Sequence, residues 1–205
     1  VKSGPLLIPG EGYLKVIKRG RGRRRDWRRD AGATYEMLIR TVEISDAVQI
    51  AEIYNYYIVN STATFETEPV DAAEIGRRIG EVMDVGYPYL IAEDEGRITG
   101  YAYGHQFRAR SAYRRTIEVS VYIKDGLGGR GIATLLYKEL FGEIAKRDFH
   151  AVIAGISLPN DASVRLHERF GMKKAAHLEE VGFKFEKWID TGYWQLLLNK
   201  QRFKC

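Results

Sequence analysis

A lone acid, Glu118, sits inside the apolar run Ile117–Ile123, and four glycines, Gly126, Gly128, Gly129 and Gly131, follow within six residues. A carboxylate among valines needs a reason, and burial there would raise its pKa toward the working range. The structural alternative is a buried acid paired with an arginine. After the glycines, Ala133, Tyr137, Leu140, Phe141 and Ile144 fall on one helical face. A helix entered through glycines turns unbonded N–H groups outward and adds the positive end of its dipole, which suits a phosphate or pyrophosphate. The same pattern also serves as a plain turn. It is neither the phosphate loop ending in Gly-Lys-Ser/Thr nor a clean Gly-x-Gly-x-x-Gly dinucleotide fingerprint.

These groups need elements to hold them. Ile117, Val119, Val121 and Ile123 alternate with Glu118, Ser120 and Tyr122, the period of a strand. Upstream, 37–43 reads as a strand. Ser45 or Asp46 then caps a helix carrying Ile50, Ile53, Tyr54, Tyr57 and Ile58, whose tyrosines are assigned to the core. The polar loop Ser61–Pro69 holds Phe65, as core plug or pocket wall, and a second helix covers 71–85. Strands at 89–93 and 98–106 are joined by the hairpin signal Asp94–Arg97. The basic, aromatic stretch Phe107–Arg115 reads either as a solvated connection or as a lip whose arginines take a carboxylate or phosphinate. A strand at 151–157, a helix opened by Asn160 and closed at Gly171, and an antiparallel pair at about 177–188 and 193–198 complete the order. There is no internal repeat.

The chain has 205 residues, 45% hydrophobic and 12% aromatic, which suits one core. No apolar run approaches the roughly 20 residues of a membrane span. The one cysteine is Cys205, so a disulfide or cysteine metal cluster is excluded and a cytoplasmic location is the expectation. His105, His150, His167 and His177 lack ligand spacing, and no metal is assigned. Residues 1–36 hold ten Lys or Arg against four acids, a net of +6, whereas the other 169 carry 22 against 23. That basic, glycine-rich leader is expected to be poorly ordered, either as an extension upstream of Met37 or as a tail for nucleic acid or another anionic surface.

The run Gly128–Ala133 is similar to the Q/R-x-x-G-x-G/A signature of GNAT acetyltransferases, with Gly131 and Ala133 in its last two fixed places. Gly128 departs from it, and Arg130 offers the nearby charge. More broadly, residues 37–205 resemble the phosphinothricin N-acetyltransferases and the L-amino-acid N-acetyltransferases that act on methionine sulfone and sulfoximine. Ile53–Tyr57 with Ser61–Pro69, Arg108–Tyr113, Ile117–Ile123, Asn160–Gly171 and Val181–Leu196 carry the likeness.

The resemblance implies an α/β (α+β) GNAT fold, with a mixed, mostly antiparallel central sheet flanked by helices on both faces. It also implies direct acetyl transfer from acetyl-CoA to the α-amino group of a small amino acid, a homodimer, and no membrane partner. Glu118 would be the general base and His167 a candidate acid or base, although a histidine beside Leu166 and Phe170 also reads as a core residue. Val121, Tyr122 and Ile123 would meet the pantetheine arm, Gly129, Arg130, Gly131, Ile132, Ala133 and Thr134 the pyrophosphate, and Asn160 the cofactor. Phe65, Arg108, Arg110 and Tyr113 would receive the substrate. The alternatives are a GNAT enzyme for a polyamine, aminoglycoside or protein N-terminus, which the basic lip disfavours, and a nucleic-acid-binding module using the leader.

Overall fold

Alternating and helical apolar patterns translate into one mixed sheet with two helices on each face. The computed structural model describes residues 14–18 and 36–198. Its elements are β1 (Leu14–Lys18), β2 (Glu36–Thr41), α1 (Ala47–Asn60), α2 (Ala72–Asp84), β3 (Tyr89–Asp94), β4 (Arg97–Gln106), β5 (Thr116–Ile123), α3 (Ile132–Ala145), β6 (Ala151–Leu158), α4 (Asp161–Arg169), β7 (Lys173–Lys184) and β8 (Lys187–Leu197). The strand order is β1-β2-β3-β4-β5-β6-β8-β7. Every neighbouring pair is antiparallel except β5 with β6. The GNAT fold expected from the sequence is the fold observed.

The period-two pattern of β5 divides its residues between two cores. Ile117 and Val119 join Leu136, Tyr137, Leu140 and Ile144 of α3, with Leu166 and Phe170 packed alongside. Tyr122 packs on the other core, with Ile50, Ile53 and Tyr54 of α1 and Ile75 and Ile79 of α2. On β4 two glycines allow this packing: a Cβ at Gly104 would collide with the Ile117 side chain, and one at Gly100 would lie 2.6 Å from Ile123 Cδ1. Far from β6, Arg40 of β2 donates to both Asp46 oxygens at 2.8 Å and to Glu93 of β3 at 3.0 Å. Asp46 therefore does not cap α1 through its side chain, as the sequence suggested; its carboxylate also accepts the Glu43 N–H at 2.8 Å. Such bonds offset much of the desolvation cost of a buried charge.

Two expectations need correction. Leu14–Lys18, inside the leader, is a strand paired antiparallel with β2; the other residues of 1–35, with the arginine run, lie outside the described residues. The final turn falls at Phe185–Glu186 rather than between 188 and 193. Both turn residues have positive φ, 52° and 59°, the geometry of a tight two-residue hairpin, made here without the usual Gly or Asn signal. The Asp190-Thr191-Gly192 turn signal lies within β8 instead, paired with β6.

Candidate active site

The only parallel pairing among the described strands is short. Thr116–Glu118 pair with Ala151–Ile153, and beyond them β5 and β6 part although both strands continue. A groove of about 670 Å³ lies along the parting, lined by Val119–Ile123, by Gly155–Ser157 and by residues of α3 and α4. The β5 edge facing β6 carries peptide groups with no ladder partner, and a linear amide-bearing molecule can pair with them as a strand would. The Ile123 carbonyl is already held by the Tyr57 hydroxyl at 2.6 Å, so this tyrosine, assigned to the core from sequence, also lines the groove.

At one end of the groove the chain enters α3 through Gly131, whose φ of 80° is left-handed, a conformation that costs glycine little. The first N–H bonded within the helix is that of Leu135, to the Gly131 carbonyl at 3.1 Å. The amides of Ile132, Ala133 and Thr134 precede it, so they form the unbonded first turn. A Cβ at Gly128 or Gly129 would meet nothing within 4 Å. Open space, unbonded amides and a helix dipole together fit a pyrophosphate. At the opposite wall, the Ser157 hydroxyl is buried with no hydrogen-bond partner among the described residues, and Ser157 lines the groove. Asn160 lines it as well, while its Oδ1 accepts the Ser163 N–H at 3.1 Å as the cap of α4. The Arg130 guanidinium turns back to the Gly126 carbonyl at 3.3 Å, and Arg130 does not line the groove.

Glu118 stands on the last paired residue of β5, on the α1/α2 face. Burial raises its pKa, and His105, Arg108 and the Gly155 N–H only partly counter that rise. Its side chain is so close to β6 that a Cβ at Gly155 would lie 3.3 Å from Glu118 Oε1. No salt-bridge partner holds it among the described residues, so the paired-acid alternative is not what the structure displays. Across the β4 ladder Glu118 faces His105, and Ser120 faces Tyr103.

His167 is 3% exposed on α4. Its Nδ1 lies 2.8 Å from the Ser163 carbonyl oxygen, which can only accept, so Nδ1 carries the proton. Nε2 then accepts the Tyr137 hydroxyl at 2.9 Å. Burial also lowers the His167 pKa, against the opposing Ser163 bond. The ring is therefore neutral with both nitrogens engaged, and it fixes the hydroxyl of Tyr137, itself fully buried at the groove wall.

The loop residues gather less tightly. Phe65 rests on the backbone of Gly182 in β7, where a Cβ would collide with its ring. Its loop is tied down by Lys184, whose Nζ donates to the Thr64 carbonyl at 2.8 Å, and by Glu66, bound to Arg78 at 2.6 Å and to the Tyr54 hydroxyl at 3.0 Å. Arg108 stacks on Phe107 with 5.1 Å to the ring centroid and contributes to the field at Glu118. Tyr113 meets Phe107 edge-on at 5.7 Å. Arg110 is exposed at the start of the 3-10 turn Ser111–Tyr113. The sequence reading passed over Tyr103, His105, Tyr137 and Gly155. Alternation along β4 would have put Tyr101, Tyr103 and His105 on one face, but only register shows that this face meets Glu118.

Comparison with known proteins adds an independent line. Residues 39–192 match the family model described as an acetyltransferase (GNAT) domain. A phosphinothricin N-acetyltransferase of Alcaligenes faecalis is 40% identical over 162 residues, 78% of this chain and 82% of the relative. An L-methionine sulfoximine/L-methionine sulfone acetyltransferase of Salmonella typhimurium is 34% identical, covering 80% of this chain and 96% of its own. A GNAT superfamily phosphinothricin acetyltransferase from Sinorhizobium meliloti, solved in complex with acetyl-CoA, superposes with a TM-score of 0.77 at 36% identity, covering 79% of this chain and 88% of that one.

Proposed function

The chain belongs to the GNAT acetyltransferase family, and on that premise we propose that it transfers acetyl from acetyl-CoA to the α-amino group of a small amino acid such as phosphinothricin, methionine sulfoximine or methionine sulfone. The observation that carries this reading is the position of Glu118, a desolvated carboxylate at the point where β5 and β6 part, next in the chain to the groove residue Val119, with the first turn of α3 lining that groove. Acetyl-CoA supplies a thioester carbonyl. The residues fit its chemistry, since Ile132–Thr134 offer amides to the pyrophosphate and the free edge of Val121–Ile123 offers peptide groups to pantetheine.

Transfer needs a neutral amine, and Glu118 takes the ammonium proton; the nitrogen loses a second proton as the C–S bond breaks, and the departing thiolate leaves with it as free thiol. A backbone N–H of the parted β5 edge stabilises the oxygen that gains charge at the thioester carbon. His167 acts through Tyr137: with Nδ1–H on Ser163 and Nε2 filled, it orients the phenol at the groove wall. Arg108 and Arg110 face the acidic end of the amino acid, with Tyr113 beside them and Phe65 on the other wall. No cysteine is placed to carry an acetyl group, which supports direct transfer.

The same reading includes a cytoplasmic enzyme that confers resistance to these toxic analogues. The charge of residues 37–205 sums to −1, which supports a small-molecule rather than a polyanionic partner for this domain. A homodimer is supported by the exposed strip of Val181, Phe183, Phe185 and Trp188 on β7, β8 and the turn between them. An apolar strip of this kind marks an interaction surface.

The test is thiol release from acetyl-CoA with L-phosphinothricin, L-methionine sulfoximine and L-methionine sulfone, against spermidine, an aminoglycoside and a peptide amine. Saturable turnover confined to the first three is expected. Turnover only with another amine refutes the substrate assignment and leaves the family untouched.

A further inference from the structure

A second cavity, of about 650 Å³, opens between α2 and the sheet on the α1/α2 face. Tyr89, Tyr101 and Tyr103 line it from the sheet, Arg78, Glu81 and Asp84 from α2, and His105 and Gln106 from the end of β4, beside apolar residues such as Ile75 and Val82. Its polar side chains give water hydrogen-bond partners. Tyr103 also contacts the acetyl-transfer groove, since its hydroxyl bonds Ser120, a groove residue.

His105 joins this cavity to the base. It is the direct cross-strand partner of Glu118 in the antiparallel β4–β5 ladder, a relation that brings two Cβ atoms within about 4.5–5.5 Å on one face of the sheet. Its Nδ1 lies 3.2 Å from the Gln106 carbonyl, which takes an N–H and leaves Nε2 as the acceptor. Its ring leans on Tyr103 at 5.7 Å, and it lines the cavity. In a ternary complex the substrate covers the side of Glu118 that faces the groove, so the proton it has taken needs a route elsewhere.

We propose that His105 is a relay residue that receives the proton from Glu118 and releases it into the tyrosine-lined cavity. This rests on the assignment of Glu118 as base. An N–H bond of the substrate ammonium breaks as an O–H bond forms on Glu118. That O–H then breaks as Nε2–H forms on His105, and water in the cavity takes the Nε2 proton. Glu118 ends ionised and His105 neutral, ready for the next cycle. The charged groups facing the pair are Arg108 beside Glu118 and Arg78, Glu81 and Asp84 across the cavity.

The test uses the full chain with H105N, which keeps an amide N–H for the Gln106 carbonyl. Thiol release is followed across pH with acetyl-CoA and L-methionine sulfone, with and without added imidazole. Expected are a kcat lower by about 10-fold, at the modest end of acid–base effects, an unchanged KM for acetyl-CoA, and restoration by imidazole. The acid limb of kcat/KM also moves to higher pH, because the lowering influence of His105 on the Glu118 pKa is gone. Wild-type kcat across the pH range overturns the relay, as does a loss that imidazole leaves unrepaired while the melting temperature falls. E118Q separates the two assignments: if it keeps full turnover, the base and the relay fall together, whereas an inactive E118Q with an unaffected H105N removes the relay alone.

Discussion

Two clusters of partly buried charge lie on the α1/α2 face of this sheet, one at β2 and β3 and one at β5, and their difference separates a structural ion pair from a reactive acid. Around Arg40, both Asp46 oxygens and Glu93 accept guanidinium hydrogens, and Asp46 also takes a backbone N–H. Its own partners raise the Arg40 pKa despite burial. Around Glu118 the balance is reversed: burial outweighs His105, Arg108 and the Gly155 N–H, and the carboxyl is held above the usual range. Full compensation leaves a charge inert. Incomplete compensation leaves it able to exchange a proton at working pH.

The strongest way to break the contrast is E118Q. Its kcat is expected to fall about 10²–10⁴-fold, the range of general acid–base catalysis, with a melting temperature at neutral pH no lower than wild type. Because the folded pKa is raised, ionised Glu118 costs stability above that pKa, and the cost vanishes as pH falls below the unfolded value of about 4.3. Thermal melts at pH 7 and thiol release on the same sample decide it; a destabilised E118Q would make Glu118 structural.

Asp46→Ala is the mirror experiment. It leaves Arg40 with Glu93 as its acidic partner and the Thr41 carbonyl beside it, and is expected to cost about 3 kcal/mol, at the low end for breaking a buried pair because Arg40 is partly exposed and keeps these acceptors. That corresponds to a melting point lower by about 6–12 °C, with kcat of the folded protein unchanged. A loss of kcat without a loss of stability would erase the distinction between the two clusters.

His167 lies between these extremes. Replacing it by Phe strands the Tyr137 hydroxyl, at about 1–3 kcal/mol for an unsatisfied buried group. If the histidine acts through the phenol, the kcat losses of H167F and Y137F are not additive in the double variant. Additive losses would return His167 to an independent role.

Two pH dependences give the finest test. The acid limb of wild-type kcat/KM should sit above the ordinary carboxylate range and be absent from any residual activity of E118Q. His167, with a folded pKa pushed down by burial, stabilises the fold fully above its unfolded pKa of about 6.5, and this contribution is lost as pH falls toward the folded value. Chemical denaturation from pH 7.5 to 5 should therefore show a shallower acid loss in H167F than in wild type.

Much of this was legible in the chain. Ile117–Ile123 announced β5 and marked Glu118, and the glycines marked the entry to α3, because pattern and turn chemistry are local. The residues that complete the site are not local. His105 meets Glu118 through the β4–β5 register, Tyr137 meets His167 across 30 positions, and Phe65 finds Gly182 through the folding of β7 over its loop. The turn at Phe185–Glu186 was missed because neither residue is a customary left-handed one. Leu14–Lys18 was missed because the arginines after it dominate the composition.

The brevity of the β5–β6 pairing also has a dynamic meaning. Only three residues on each strand join the β1–β5 part of the sheet to the β6, β8 and β7 part, so the molecule is two hydrogen-bonded blocks meeting at a narrow seam, supported by the helices beneath. Amide exchange in Val119–Ile123 and Ala154–Leu158 should report how readily that seam opens. Whatever fills the groove then behaves as a removable strand, and acetyl-CoA should slow that exchange and raise the melting temperature with its concentration, as any ligand specific for the folded state does.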